Sequence, residues 1–246
     1  PAAVEAGLMP PGVMADWNVF AYYFCLNGYY CVGLQAAADA LADIGWDDAA
    51  SFQKEAADFR EAILRAFRAT QAKMPVYPLR NGVSVPGYPS QLLPGPTGPF
   101  FPGEDGNRSW CYDVELGSHQ LVLQGVLPVE SQDVVWMMDH MEDVQFRKDG
   151  FGGYTAEMAH DDGFNMGGFA RIQPYYARNA EIDAMRDDVK PFLRSYFNTL
   201  AALIDGENLS IYEHFPGSCY NKTHETGYFL YQTRIMLVAE RGDDLW

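Results

Sequence analysis

Three short segments in the second half of the chain combine carboxylates with histidine. They cover residues 150–163, 212–215 and 221–228. Four carboxylates in them are candidates for acid–base catalysis: Glu157, Asp161, Glu213 and Glu225. Glycoside hydrolysis needs two carboxyl groups, one to protonate the leaving oxygen and one to activate water or attack the anomeric carbon. We predict that the acid is Glu157 or Glu225. The base is then Asp161 or Glu213.

Aromatic and further polar side chains accompany these carboxylates. Aromatic rings stack on the apolar faces of sugars, and they raise the pKa of a nearby carboxyl group by excluding water. The residues expected to orient a substrate are Asp16, Trp17, Trp110, Tyr154, His160, Tyr212, His214 and His224.

Each candidate also has a purely structural interpretation. Asp161–Gly163 has the composition of a turn, in which an aspartate caps the backbone. Thr223 or Thr226 would cap a following helix, and Glu225 in its first turn would then serve the helix dipole. Glu213 and His214 could form a buried structural pair. The strength of the catalytic hypothesis therefore lies in convergence of several groups rather than in any one of them.

Two other functions fit the same residue types. A polysaccharide lyase abstracts a proton next to a uronate carboxyl group, and its product absorbs in the ultraviolet. The residues for that reaction would be Tyr154, His160, Asn165 and Arg171. A non-catalytic sugar-binding protein would use the carboxylates only to bind hydroxyl groups.

Other catalytic signatures are missing from the sequence. His224-Glu225 is followed by Tyr228 where a zinc protease has its second histidine, and no dinucleotide, phosphate-loop or nucleophile-elbow motif occurs. The four cysteines fit no metal spacing: Cys25 and Cys31 are expected as buried thiols, and Cys111 and Cys219 could pair only in an exported protein. We expect no cofactor, with calcium on loop carboxylates left open.

The charge balance narrows the choice of partners. The 246 residues include 33 Asp plus Glu against 17 Lys plus Arg, a net charge of −16. The negative electrostatic field of such a chain disfavours nucleic acid and anionic membranes as partners, and the sequence has no cluster of Lys and Arg to offset it. The most apolar run, Val19–Leu34, is interrupted by Asn27 and Gly28 and is too short to span a bilayer. A neutral carbohydrate is the expected ligand.

The elements that position these residues are predicted to be helices. Apolar periodicity indicates seven helical segments, near residues 17–44, 47–72, 112–125, 129–144, 174–185, 188–204 and 226–242. Short turns join the first and second, third and fourth, and fifth and sixth segments, which makes each pair antiparallel. The long connections, 73–111, 145–173 and 205–225, then share one face with the start of the first helix. The first of them holds eight of the fifteen prolines and several aromatics, and is expected to be an ordered lid.

The first two helices differ in character. The first is apolar around most of its circumference, which predicts burial on several sides. The second carries one apolar stripe, formed by Phe52, Ala56, Phe59, Ile63 and Phe67. An inner helix followed by an amphipathic outer helix is the repeating unit of an (α/α) toroid. We therefore predict an all-α fold of this kind for residues 1–246, as a single domain or as part of one.

Several stretches resemble the six-hairpin glycosidase-like superfamily of bacterial proteins. They are Gly7–Gly12 leading to Asp16-Trp17, Gly33–Leu41, Glu55–Arg60, Gly167–Tyr175, Glu213-His214, Lys222–Gly227 and Glu240–Trp246. The resemblance implies an (α/α)₆ toroid that acts on polysaccharide, often within a larger secreted or periplasmic protein. A closed toroid needs twelve helices, so the resemblance also implies that the chain is a piece of a longer polypeptide, whose remainder would be its partner.

Overall fold

The computed structural model describes residues 3–13, 20–74, 76–79, 81–92, 118–145, 178–212, 223–241 and 244–245. These residues are mostly helical, as the sequence predicts. The seven helices in them are α1 (Phe24–Asp43), α2 (Ala49–Gln71), α3 (Ser118–Leu123), α4 (Gln132–Gln145), α5 (Asn179–Met185), α6 (Val189–Leu203) and α7 (Thr223–Leu237). Two small antiparallel ribbons accompany them, β1 (Val76–Pro78) with β2 (Ser84–Pro86), and β3 (Glu240–Arg241) with β4 (Asp244–Leu245).

The boundaries of two helices differ from the prediction. Helix α1 begins at Phe24 because the residues before it are extended: the Phe24 amide donates to Ser90 O at 2.9 Å, and the Leu92 amide donates to Tyr22 O at 2.9 Å. Helix α7 begins at Thr223 and ends at Leu237, before β3. It therefore starts three residues earlier than predicted. The predicted beginnings of α3 and α5 lie outside the described residues.

The predicted short turns after α1 and α5 are confirmed, whereas the connection of α3 to α4 is longer than predicted and spans residues 124–131. Each of the three connections contains one residue with positive φ. Gly45 (φ 71°) follows α1, Gly125 (φ 69°) follows α3, and Asp187 (φ 61°) follows α5. The Gly45 amide donates to Ala42 O and the Gly125 amide to Val122 O, each at 2.9 Å. A residue in the left-handed conformation reverses the direction of the chain directly after the helix. Glycine adopts this conformation without strain, and aspartate tolerates it better than most residues do.

Consecutive odd-numbered helices are neighbours in space. Helix α1 packs against α3, α3 against α5, and α5 against α7, while α2 lies against α1 and α6 against α5. The approach of α1 to α3 is close at Gly28, where a Cβ atom would lie 1.7 Å from Gln124 Oε1 and 3.0 Å from Leu121 Cδ2. The fold thus positions α1, α3, α5 and α7 side by side.

The hydrophobic core joins the first two hairpins. The rings of Phe24 and Phe67 meet edge to face with centroids 5.5 Å apart, and Leu121 and Met137 complete the contact. The predicted stripe of α2 is buried at Ala56, Ile63 and Phe67, whereas Phe52 is 37% exposed. Cys25 and Cys31 are buried, as predicted. Within the described residues, no helix is both long and apolar enough to cross a membrane.

The prediction that α1 is buried on several sides is wrong. Tyr29, Tyr30 and Val32 are 41%, 57% and 40% exposed. The buried face of α1 instead runs along Phe24, Cys31 and Ala38, which face α2 and α3. Tyrosine tolerates the half-exposed positions because its hydroxyl group stays in contact with water or with a polar neighbour.

Candidate functional site

Three of the predicted site residues lie in the described part of the chain: Tyr212, His224 and Glu225. The others lie outside the described residues, namely Asp16, Trp17, Trp110, Tyr154, Glu157, His160, Asp161, Glu213 and His214. Their proposed roles stay predictions.

Glu225 occupies the first turn of α7 and is fully buried. Its Oε1 lies 3.1 Å from Nε2 of His224, whose side chain is 49% exposed. The structural interpretation of Glu225 is thus supported in one respect, because a carboxylate in a first helical turn interacts favourably with the helix dipole. The contact with His224 also gives the buried carboxyl group a partner that reaches solvent.

Tyr212 belongs to a turn at the end of α6. Its hydroxyl group donates to Oδ2 of Asp205 in a short hydrogen bond, while Asp205 Oδ1 accepts from the amides of Glu207 and Asn208, both at 2.9 Å. The Tyr212 hydroxyl and then these amides lower the pKa of Asp205. The Tyr212 hydroxyl group therefore has a structural role in this turn, which the prediction of a substrate-binding role did not include.

An ion pair that the sequence analysis missed lies at the start of α5. Arg178 donates from Nε to Glu181 Oε1 at 2.9 Å and from Nη2 to Oε2, a two-point pair. Both side chains are largely buried, at 17% and 5% exposure. Burial raises the pKa of Glu181 and Arg178 opposes that rise. Burial disfavours the charged form of Arg178, but Glu181 outweighs it and the pKa of the guanidinium is raised.

Tyrosines surround this ion pair. The guanidinium carbon of Arg178 lies 5.0 Å from the ring centroid of Tyr228, and the rings of Tyr228 and Tyr231 meet edge to face at 6.3 Å. Tyr29 of α1 also acts on the charge of Arg178, and its hydroxyl group donates to Gln120 Oε1 of α3 at 3.1 Å. Glu181 of α5 and Tyr228 of α7 thus contact Arg178, and Tyr29 of α1 acts on its charge and is linked in turn to Gln120 of α3. We call Tyr29, Gln120, Arg178, Glu181, Tyr228 and Tyr231 the tyrosine–arginine cluster.

Helix α7 connects Glu225 to this cluster. Glu225, Tyr228 and Gln232 follow one another at spacings of three and four residues, so they share one face of the helix. Gln232 is also fully buried, and neither atom of its amide has a hydrogen-bond partner among the described residues. An unsatisfied buried amide costs free energy until water or a ligand supplies the missing bonds. This face of α7 thus offers a carboxyl group, an aromatic ring and an amide in succession.

A second buried carboxyl group lies further along α5. Asp183 is 2% exposed. Burial first, and then the nearby charges of Glu142 and Asp188, raise its pKa well above the ordinary value, against the effect of Arg186 and Arg194. A carboxyl group whose pKa is raised by burial is the kind that can act as a general acid. A sequence signal for it exists, since Asn179 and Asp183 repeat at four residues on the buried face of a helix.

The described residues contain no group of three or more histidine, cysteine or acidic side chains that would hold a metal ion. Comparison of the chain with models of protein families, with curated proteins and with solved structures finds no match. Any assignment of function therefore depends on the residues themselves.

Proposed function

We propose that this protein is a glycoside hydrolase-like protein that acts on a neutral oligo- or polysaccharide. The observation that carries the proposal is Glu225, a fully buried carboxyl group on the same helix face as Tyr228 and Gln232. A carboxyl group, a tyrosine ring and an amide together match the requirements of a sugar: proton transfer, stacking and hydrogen bonds to hydroxyl groups.

The packing of the helices supports an (α/α) toroid as the scaffold. In a toroid the inner helices contact one another in sequence, and each is followed by an outer helix. The contacts of α1 with α3, of α3 with α5 and of α5 with α7 follow this order. The outward face of α7 carries Leu230 and Leu237, 62% and 70% exposed, which a further inner helix would cover. In this proposal the toroid continues in another part of a longer polypeptide.

The proposed chemistry uses Glu225 as the general acid. Its proton passes to the glycosidic oxygen as the bond to the leaving group breaks, and a second carboxylate activates water. His224, 3.1 Å away, fixes the orientation of the carboxyl group and returns a proton from solvent. The partner carboxylate in this proposal is Asp161 or Glu213. Glu157 is the alternative acid.

The test is an assay of hydrolysis on a panel of neutral polysaccharides. Hydrolysis is measured as the release of reducing ends. Glu225→Gln should lower kcat by a factor on the order of 100 or more, because it removes the acid and keeps the shape. Glu207→Gln, at an exposed position, is the matched control and should keep full activity. Equal activity of both variants on a substrate that the parent cleaves would refute the assignment of Glu225.

Binding without turnover is the second candidate, and the position of Glu225 in the first turn of α7 favours it. In that case the parent protein binds an oligosaccharide stoichiometrically by calorimetry and releases no reducing ends. A rise in ultraviolet absorbance without hydrolysis would instead indicate a lyase, which Glu225→Gln should not abolish.

A further inference from the structure

A groove separate from the tyrosine–arginine cluster lies between the N-terminal segment and the first hairpin. Its volume is about 480 Å³, within the range of sites that bind small groups. Its walls include Met9 from the N-terminal segment, Tyr30 and Leu34 from α1, and Glu55, Asp58 and Phe59 from α2. The groove thus has apolar sides and two carboxylates from one helix.

The N-terminal wall of the groove is held firmly in place. Gly7 has a φ of 88° and approaches α2 so closely that a Cβ atom there would lie 2.8 Å from Ala62 Cβ. Arg65 donates a hydrogen bond to Ala6 O, and the Met9 amide donates to Oδ1 of the buried Asn27 at 2.9 Å. These contacts fix the position of this wall, so binding requires little rearrangement of it.

The carboxylates of the groove are poorly compensated. Glu55 and Asp58 lie one helical turn apart, and no cation pairs with Glu55 in the part of the chain that the structure describes. Asp58 pairs with Lys54, but both side chains are exposed, at 66% and 74%, so the pair is weak and exchangeable. The nearby Arg60 is already engaged by Val126 O at 2.8 Å. A cation from outside would meet little competition.

We propose that this groove binds an arginine side chain of a partner protein. A guanidinium group is planar and presents several N–H donors, so it can bridge the carboxylates of Glu55 and Asp58. Tyr30 is 57% exposed at the edge of the groove and offers its ring to the cation. The methylene groups of arginine match the apolar wall formed by Leu34 and Phe59. The acidic chain as a whole, at −16, attracts a basic partner.

The test uses a short peptide, glycine–glycine–arginine–glycine–glycine, acetylated and amidated so that the guanidinium is its only charge. Its binding is measured by calorimetry or by ligand-observed NMR at low salt. The same peptide with citrulline in place of arginine keeps the shape and removes the charge. We expect saturable binding of the arginine peptide, and affinity at least tenfold lower for the citrulline peptide.

Variants on α2 separate the groove from general charge attraction. Glu55→Gln combined with Asp58→Asn should weaken binding at least tenfold, and Tyr30→Ala should weaken it severalfold. Glu61→Gln changes an exposed carboxylate of the same helix outside the groove and should leave the affinity unchanged. The proposal is overturned if the peptide fails to bind, or if Glu61→Gln weakens it as much as Glu55→Gln. Binding of a neutral oligosaccharide to this groove in place of the peptide would also overturn it.

Discussion

Arg178 and Glu181 lie one turn apart at the beginning of α5 and form a two-point ion pair that is almost entirely buried. A buried pair adds little net stability by itself, since both groups lose their hydration. Removing only one member is costly, because it leaves the other charge buried without a partner. The pair should therefore respond to single and double replacement in different ways.

We predict that Arg178→Met lowers the free energy of unfolding by about 3 kcal/mol. Adding Glu181→Met to it should restore most of that loss, because no unpaired charge remains. Urea denaturation of the two single variants and the double variant measures the coupling. Lys54→Met with Asp58→Met, which removes an exposed pair, serves as the control and should change stability by less than about 1 kcal/mol. Additive losses at positions 178 and 181 would contradict this prediction.

Two glycines of α1 should respond in opposite directions to alanine. A Cβ at Gly28 meets Gln124 Oε1 and Leu121 Cδ2, so Gly28→Ala should destabilise the protein by about 1–3 kcal/mol. No described residue lies within 4 Å of a Cβ at Gly33, so Gly33→Ala should stabilise the protein by about 0.5–1 kcal/mol through helix propensity. Thermal unfolding of the two variants measures both changes in stability, and they should have opposite signs.

A double variant tests the cause of the effect at Gly28. Because the closest atom belongs to the flexible side chain of Gln124, Gln124→Ala should rescue part of the loss in Gly28→Ala. A loss that stays unchanged in the double variant would show that the contact with Leu121 dominates.

Two buried histidines should make the protein sensitive to acid. Burial lowers the pKa of His119 from 6.5 to about 3 and that of His140 to about 4. Below pH 6.5 these two histidines bind protons in the unfolded chain, whereas in the folded chain they stay neutral until the pH approaches their lowered pKa values. The stabilising contribution is thus complete above pH 6.5, and it is lost as the pH falls towards the folded values. Each histidine contributes a slope of up to about 1.4 kcal/mol per pH unit.

Replacement of His119 checks this slope. His119→Leu should lose about 2 kcal/mol less stability than the parent between pH 6.5 and 4.5, measured by urea denaturation at each pH. Gln120→Leu replaces a buried polar neighbour that does not titrate, and it should shift the stability equally at both pH values. Glu181 and Asp183 act in the opposite direction, because their raised pKa values favour the folded state as the pH falls. The same slopes in His119→Leu and the parent would contradict the prediction.

Tyr228 should contribute to carbohydrate affinity through its ring. Tyr228→Ala should weaken binding of a responsive oligosaccharide by a factor on the order of ten, equivalent to about 1.4 kcal/mol. Tyr228→Phe keeps the ring and should retain most of the affinity. Calorimetry with both variants measures the effect, and thermal unfolding checks that Tyr228→Ala remains folded despite losing its contact with Arg178.

The helices were predictable because their causes are local. Apolar spacing located α2, and glycines at positions 45 and 125 marked the turns that the structure contains. The ribbon of β1 and β2 had a local signal too, Asn81-Gly82, which is typical of a tight hairpin. There Gly82 has a φ of 85° and the Val83 amide donates to Asn81 Oδ1 at 2.9 Å.

The other features of the fold and of the site depend on contacts between residues that are far apart in the sequence. The apolar residues before Phe24 favour continuation of a helix, but hydrogen bonds with Ser90 and Leu92 hold them extended. No local sequence pattern marks Arg178, because its surroundings include Tyr29 and Tyr228, which are far from it along the chain. The prediction that Glu225 lies in the first turn of a helix is confirmed. Its burial could not be predicted, because it depends on tertiary packing.

The tight turns after α1 and α5 also have a kinetic consequence. A hairpin closed by a few residues loses little chain entropy on forming, so α1 with α2 and α5 with α6 can each assemble early. Contacts between α1 and α3, and between α3 and α5, close much longer stretches of chain and come later. We expect the folding rate to be set by these closures. Shortening a connection between hairpins should then accelerate folding, whereas lengthening a tight turn should have little effect on the rate-limiting step.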